Sequence, residues 1–272
     1  METKKNYKIL VLDLDGTLTN DKKEITSATK DILIKAQEQG TIIVLASGRP
    51  TYGIVPLADE LELDRFGGYI LAYNGGTIIN WKTKETIHSS VLDMEMISPA
   101  YEMARRHGME ILSYIGKDII SETPDNKYVQ YEAMLTRMPV RKVDHFCNAI
   151  MQPVPKCLIV GDAVELALLE KKMQDKYGDR MNIYRSEAFY LELNPLAIDK
   201  ANSLRMLLKY LNLSKDEMIA CGDGFNDLSM IEFAGLGVAM ANAKQPVKDV
   251  ADFITLSNEE DGVAYAVEKF IL

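Results

Sequence analysis

Asp13 and Asp15 stand two residues apart at the end of an apolar run, Ile9-Leu10-Val11-Leu12, in the stretch LDLDGTLTND. On an extended chain, side chains two apart share a face, so both carboxylates address one point while Leu12 and Leu14 take the other side. Carboxylates this close raise each other's pKa, and a divalent cation is the partner that keeps both ionised. An all-oxygen donor set of this kind suits Mg²⁺. Two plainer readings compete. Asp15-Gly16 is a common turn dipeptide. Asp13, Asp15, Asp21 and Glu24 also fill the first, third, ninth and twelfth positions of a calcium-binding loop, which makes a calcium-binding module without catalysis an alternative. Against the latter, Leu18 stands where that loop needs Gly, and a β-type run precedes it rather than a helix.

Three further stretches carry chemical groups. MIACGDGFNDLSMI, Met218 to Ile231, is a second apolar run ending in acid, with Asp223 and Asp227 four apart and Asn226 between them. Asp227 could equally cap the helix that follows. TIIVLASGRP, Thr41 to Pro50, delivers Ser47, Gly48 and Arg49 to a strand-to-helix turn, where a hydroxyl and backbone N–H groups can cradle a phosphate or simply start a helix. Lys200, in LAIDKANSL, opens a predicted helix, a place where its charge opposes the helix dipole unless it faces an anion.

The elements that position these groups follow from periodicity. Lys8–Leu12, Thr41–Ala46 and Tyr69–Tyr73 read as strands, separated by helices over Ser27–Gln39 and Tyr52–Glu62. Strands this continuously apolar are covered on both faces, as in a parallel sheet flanked by helices. From about Trp81 the rhythm breaks at Lys82-Thr83-Lys84-Glu85, and prolines punctuate the middle of the chain. Helices near Pro99–His107 and Val164–Tyr177, with strands near Glu110–Ser113, Ile119–Ser121, Lys156–Val160 and Met181–Arg185, make a second unit. After Leu191–Asn194 the first rhythm returns: helix Lys200–Leu211, strand Met218–Cys221, helix Asn226–Phe233, strand Gly237–Met240 and helix Gly262–Phe270. The expectation is a core built from residues 1–83 and 191–272, interrupted by a unit spanning 84–190.

Composition narrows the partners. A net charge of -9 over 272 residues, with no basic patch, argues against a nucleic-acid backbone. No segment has the length and apolarity to span a bilayer, and the start lacks a signal-peptide pattern, so membrane is not an expected partner and the cytoplasm is the expected location. Cys147, Cys157 and Cys221 are odd in number and widely spaced, as reduced thiols are. His88, His107 and His145 show no metal-ligand spacing. Nothing in the sequence sets the oligomeric state.

In order, DLDGT, SGR, the helix-initial Lys200 and GDGFND resemble the four motifs of the haloacid dehalogenase (HAD) superfamily. YNGG at Tyr73–Gly76 and the tail VAMANAKQPVKDVADFITLSNEEDGVAYAVEKF are similar to its Cof-type branch. The resemblance implies an α/β fold, a Rossmann-like parallel-sheet core with an inserted α+β cap that selects substrate. It implies a Mg²⁺-dependent phosphatase for small phosphorylated metabolites, sugar phosphates above all, or a phosphomutase on the same scaffold. Asp13 would be the nucleophile and Asp15 the general acid and base. Ser47, Gly48, Lys200 and Asn226 would hold the phosphoryl group, with Arg49, Asn74 and Gly75 near the substrate. Asp13, Asp223, Asp227 and the backbone carbonyl of Asp15 would form the metal site. In the cap, Arg105, Arg106, Tyr114, Tyr128 and Arg141 are candidates for reading the leaving group. Ala201 and Ala241 replace glycines usual in the branch, with no functional group lost.

Overall fold

A computed structural model describes residues 7–196 and 198–272. In chain order, β1 (Ile9–Leu12), α1 (Ser27–Glu38), β2 (Ile42–Ala46), α2 (Thr51–Glu60), α3 (Leu63–Phe66), β3 (Tyr69–Ala72), β4 (Thr77–Asn80) and β5 (Thr86–Ser89) come first. There follow α4 (Ile97–Arg106), β6 (Glu110–Ile115), β7 (Asp118–Ser121), α5 (Lys127–Thr136), β8 (Val140–Lys142), α6 (Phe146–Ala149), β9 (Cys157–Val160), α7 (Ala163–Tyr177), β10 (Asn182–Glu187) and β11 (Tyr190–Asn194). The chain closes with α8 (Lys200–Leu211), β12 (Met218–Gly222), α9 (Leu228–Phe233), β13 (Leu236–Ala239), α10 (Gln245–Val250), β14 (Phe253–Ile254) and α11 (Gly262–Phe270).

It forms two compact units, Met1–His88 with Asp199–Leu272, and Ser89–Ile198. The first unit holds an eight-stranded sheet in the order β14-β13-β12-β1-β2-β3-β4-β5. From β14 to β3 every pairing is parallel, and β4 turns back antiparallel on β3. All four residues of β1 are buried, as strands covered on both faces must be. The chain runs outward from β1 to β2 and β3 on one side, and from β12 to β13 and β14 on the other. The carboxyl ends of β1 and β12 therefore flank the point where the winding reverses, the usual crevice of such sheets.

Capping residues set the helices that matter here. Thr26 starts α1, its hydroxyl accepting from the Thr29 N–H at 3.1 Å. Asp199 starts α8 by accepting from the Asn202 N–H at 2.9 Å, which fixes Lys200 as the first helical residue.

The second unit has a six-stranded sheet, β10-β11-β9-β6-β7-β8, antiparallel apart from β7 with β8. One face, carrying Ile111, Ile159, Leu191 and Leu193, packs on Ala104, Phe146, Leu166 and Leu169 of α4, α6 and α7. By strand alternation Tyr114, Lys156 and Glu192 share the opposite face, where Lys156 and Glu192 form a buried ion pair at 2.9 Å. The Tyr114 hydroxyl donates to Glu132 of α5 at 2.7 Å.

Two sequence expectations shift. Leu191–Asn194 is not the return to the core: it lies in β11, hydrogen-bonded to β9 and β10, so the second boundary falls at 198/199 rather than 190/191. The first falls at 88/89 rather than 83/84, because β5 extends the first sheet. Periodicity also passed over α5. Its buried positions are Val129, Glu132 and Thr136, so two of three are polar and leave no apolar stripe to read.

Candidate active site

The loops after β1, β2 and β12 and the first residue of α8 meet at one point. Lys200 is the centre of it. Its side chain is wholly buried, and Nζ lies 2.5 Å from Asp13 Oδ1, 2.6 Å from Asp227 Oδ1 and 2.8 Å from the Ala46 carbonyl. Residues 187 positions apart in sequence thus form a buried ion pair. Burial alone would lower the lysine's pKa, but the Asp13 and Asp227 carboxylates raise it above its ordinary value, so it stays a cation. Burial and the neighbouring Asp227 charge push Asp13 well up, against the pull of Lys200.

The two carboxylates of the first stretch part company. Asp13 turns to Lys200, whereas Asp15 accepts from Arg49 Nε at 2.8 Å and Nη2 at 2.6 Å, a two-pronged pair, and meets Lys23 at 2.9 Å. Although burial works to raise it, the Arg49 hydrogen bonds and charge, helped by Lys23, hold the Asp15 carboxyl below its usual range. Arg49, expected beside the substrate, is here the partner of Asp15.

Asp227 is wholly buried. Both its oxygens are spent on the protein: Oδ1 on Lys200, Oδ2 on the N–H groups of Asp223 at 3.0 Å and Gly224 at 2.8 Å. It therefore shapes the loop after β12 as well as joining the carboxylate cluster with Asp13 and Asp223. Ser47 is buried, its Oγ accepting from the Arg49 N–H at 3.1 Å, a turn bond that starts the strand-to-helix connection. Asn226 is exposed and donates to Asn74 Oδ1 at 3.1 Å, and a Cβ at Gly48 would sit 3.2 Å from the Asn74 carboxamide. Gly75, at φ 102, accepts from the Ser203 hydroxyl at 2.8 Å through its carbonyl.

Asp13, Asp223 and Asp227 each offer an oxygen within 4.8 Å of the others, the one such group among the described residues. Burial, then the Asp227 charge, pushes Asp223 up to about 6, as expected of clustered carboxylates. Hard oxygen donors of this number fit a divalent ion such as Mg²⁺. The neighbourhood is shaped to the carboxylate: Thr17 Oγ1 donates to Asp223 Oδ1 at 2.9 Å, and a Cβ on Gly16 would lie 2.5 Å from Asp223 Oδ2. The calcium-loop alternative does not assemble, because Asp13 and Asp15 face different cations while Asp21 accepts from Asn258 at 3.3 Å.

Several participants escaped the sequence reading. Lys23, Thr17 and Asn242 touch the loop after β1, the last donating to the Gly16 carbonyl at 2.8 Å, and the Lys244 N–H holds the Asp223 carbonyl at 3.0 Å. Thr17 had a signal, since it belongs to DLDGT. Lys23 meets Asp15 within its own loop, and Asn242 and Lys244 come from a distant segment. In the second unit the proposed readers are held locally: Arg105 pairs with Glu110, Arg106 with Glu102 and Arg141 with Asp118, while Tyr114 is buried on Glu132. Tyr128 stacks on Phe189, with ring centroids 5.3 Å apart.

A parallel sheet with two acidic strand ends and a buried lysine between their carboxylates defines a class, and the comparisons agree on it. Residues 10–267 match the family model described as haloacid dehalogenase-like hydrolase, and the chain belongs to that family. A crystal structure of a haloacid dehalogenase-like hydrolase from Bacteroides thetaiotaomicron is 54% identical, with a TM-score of 0.94, over 97% of this chain and 99% of that one. YxeH of Bacillus subtilis (strain 168), which bears a provisional phosphatase name, is 33% identical over 98% of this chain and 99% of its own length. YcsE of the same organism, named a 5-amino-6-(5-phospho-D-ribitylamino)uracil phosphatase, is 28% identical over 98% of this chain and 97% of its own.

Proposed function

We propose that this chain is a Mg²⁺-dependent phosphatase that hydrolyses small phosphate monoesters, sugar or sugar-alcohol phosphates among them, through an aspartyl-phosphate on Asp13. The observation that carries the reading is the Asp13–Lys200–Asp227 triad, with Asp223 beside it. An isolated carboxylate repels a phosphate dianion, and a buried, permanently charged lysine at 2.5 Å is what lets Asp13 approach one. The named activities of the full-length relatives YxeH and YcsE support the same class, and the latter's substrate is a phosphate ester of a sugar-alcohol chain.

Asp13, Asp223 and the Asp15 backbone carbonyl would hold Mg²⁺, with Asp227 shaping the loop. When bound, the ion supplies positive charge against the phosphoryl oxygens. The Asp13 carboxylate oxygen bonds to phosphorus as the ester P–O bond breaks, and Asp15 gives its proton to the departing alkoxide. Asp15, now a carboxylate, takes a proton from water as the water oxygen attacks the same phosphorus. The acyl–phosphate bond then breaks, releasing inorganic phosphate and restoring Asp13. Arg49 and Lys23 stabilise Asp15 in the ionised state that the second half of the cycle needs, and the proton that Asp15 donates in the first half is the one it took from water in the previous turnover, held against their pull. Ser47, Gly48, Lys200 and Asn226 hold the phosphoryl oxygens, and the second unit, as a cap, selects the alcohol. A reducing compartment such as the cytoplasm suits three unpaired cysteines.

Purified protein with Mg²⁺ is expected to release phosphate from p-nitrophenyl phosphate and from a panel of sugar phosphates, and Asp13→Asn is expected to abolish turnover. Turnover that survives Asp13→Asn sinks the nucleophile assignment. Transfer of phosphate within a sugar bisphosphate, without release, sinks hydrolysis in favour of a mutase.

A further inference from the structure

β3 ends in an unusual backbone. Tyr73 and Asn74 both adopt φ 55, and Gly75 follows at φ 102. A bulky residue in the left-handed region is an outlier, and such conformations persist only where surrounding contacts over-determine them. The contacts here run to three separate stretches of the candidate site. The Tyr73 N–H donates to the Arg49 carbonyl at 3.0 Å and the Asn74 N–H to the Ser47 carbonyl at 2.9 Å. The Gly75 carbonyl takes the hydroxyl of Ser203, one turn along α8 from Lys200, at 2.8 Å, and a Cβ at Gly75 would lie 2.2 Å from that hydroxyl. The Asn74 side chain takes the Asn226 amide at 3.1 Å.

We infer that Asn74 is a positioning residue for phosphate binding: its N–H, beside that of Tyr73 on Arg49, holds the Ser47 carbonyl, and its carboxamide aims Asn226 at the same anion. This rests on the phosphatase reading above and deepens it, since it moves Asn74 from a substrate contact to the support of two. The residue type is informative. Were only the left-handed backbone required, glycine would supply it without strain. Asparagine tolerates that backbone and adds an acceptor at the distance Asn226 needs.

The test is a double-mutant cycle read by calorimetric titration of inorganic phosphate into the Mg²⁺-loaded protein, with thermal unfolding alongside. Asn226→Ala is expected to weaken phosphate about 10- to 100-fold in the wild-type background, the range of one hydrogen bond to a charged group. Asn74→Gly is expected to weaken phosphate similarly while leaving the unfolding midpoint unchanged or raised, since glycine relieves the backbone. In the Asn74→Gly background Asn226→Ala should then cost nothing further, whereas in Asn74→Asp, which keeps Oδ1, it should cost its full factor. Wild-type phosphate affinity in Asn74→Gly overturns the inference, as does additivity of the two losses. Should Asn74→Gly fail to fold, the Asn74→Asp cycle decides alone, and loss of the Asn226→Ala effect there overturns it. A wild type without turnover on any ester, but with the cycle as described, would instead overturn the phosphatase reading and leave an anion-binding site.

Discussion

Replacing Lys200 by methionine, close in length and shape, removes the one cation buried between Asp13 and Asp227 and leaves two carboxylates, 8% and 0% exposed, facing each other. Breaking a buried ion pair by deleting one partner costs about 3–5 kcal/mol, because the survivor is left charged and dry. With two survivors the upper part of that range applies. A loss of ~4–5 kcal/mol lowers the unfolding midpoint by roughly 8–20 °C for a chain of this size. The cost has a pH signature. Without Lys200, Asp13, already raised by burial, holds a proton still more tightly in the folded state than in the unfolded one. A group with a raised folded pKa contributes stability that is complete below its unfolded pKa and lost as pH rises through the folded one. The deficit of Lys200→Met is therefore expected to be smallest near pH 4 and largest at neutral pH.

The assay is denaturant unfolding followed by circular dichroism at several pH values, in wild type, Lys200→Met and Lys200→Met/Asp227→Asn. Removing one of the two stranded charges should recover a large part of the lost stability, a coupling that distant, independent sites do not show. Turnover should stay lost in both variants. A single variant within about 1 kcal/mol of wild type at pH 7.5, well under the range for a broken buried pair, would refute the reasoning. So would a deficit that grows on acidification.

Two further outcomes follow from the same electrostatics. With Asp223 pushed up to about 6 from an ordinary 3.8, the metal-free protein should lose stability as pH rises from about 4 to 6. Added Mg²⁺ should restore it increasingly above that window, by about 2.7 kcal/mol at 100 times its Kd. Thermal shift with and without chelator measures this, and a Mg²⁺ effect that is constant from pH 4 to 8 contradicts it. Gly16→Ala forces a methyl to within 2.5 Å of Asp223 Oδ2 at φ 86, a backbone that alanine resists. It is expected to abolish Mg²⁺ binding in calorimetry and to cost about 1–3 kcal/mol in unfolding; unaltered Mg²⁺ affinity would show that the carboxylate can move aside.

What the sequence disclosed and what it withheld divide along a physical line. Asp13, Asp223, Ser47 and Lys200 were legible because each ends or begins an element that announces itself: three apolar runs covered on both faces, and a helix with an aspartate cap. A chemically costly residue at such a boundary stands out against the local pattern. The wiring among them was not legible, because it is made by main-chain groups and by side chains whose partners lie in other stretches. Arg49 reads as a substrate contact until Asp15 is seen 2.6 Å away, from 34 positions earlier in the chain. Asn242 reads as a loop residue until it reaches the Gly16 carbonyl across 226 positions. The sharpest case is the opening pair itself. Side-chain alternation put Asp13 and Asp15 on one face, and their repulsion called for a shared cation. The fold instead separates their needs: a buried lysine serves Asp13, and a guanidinium with a surface lysine serves Asp15. One carboxylate is kept dry, and burial raises its pKa against the pull of Lys200. The other stays at the solvent edge with a lowered pKa, where protons can be exchanged. That asymmetry suits two residues with different parts in one cycle, and it comes from the elements packed around LDLDGT rather than from the motif.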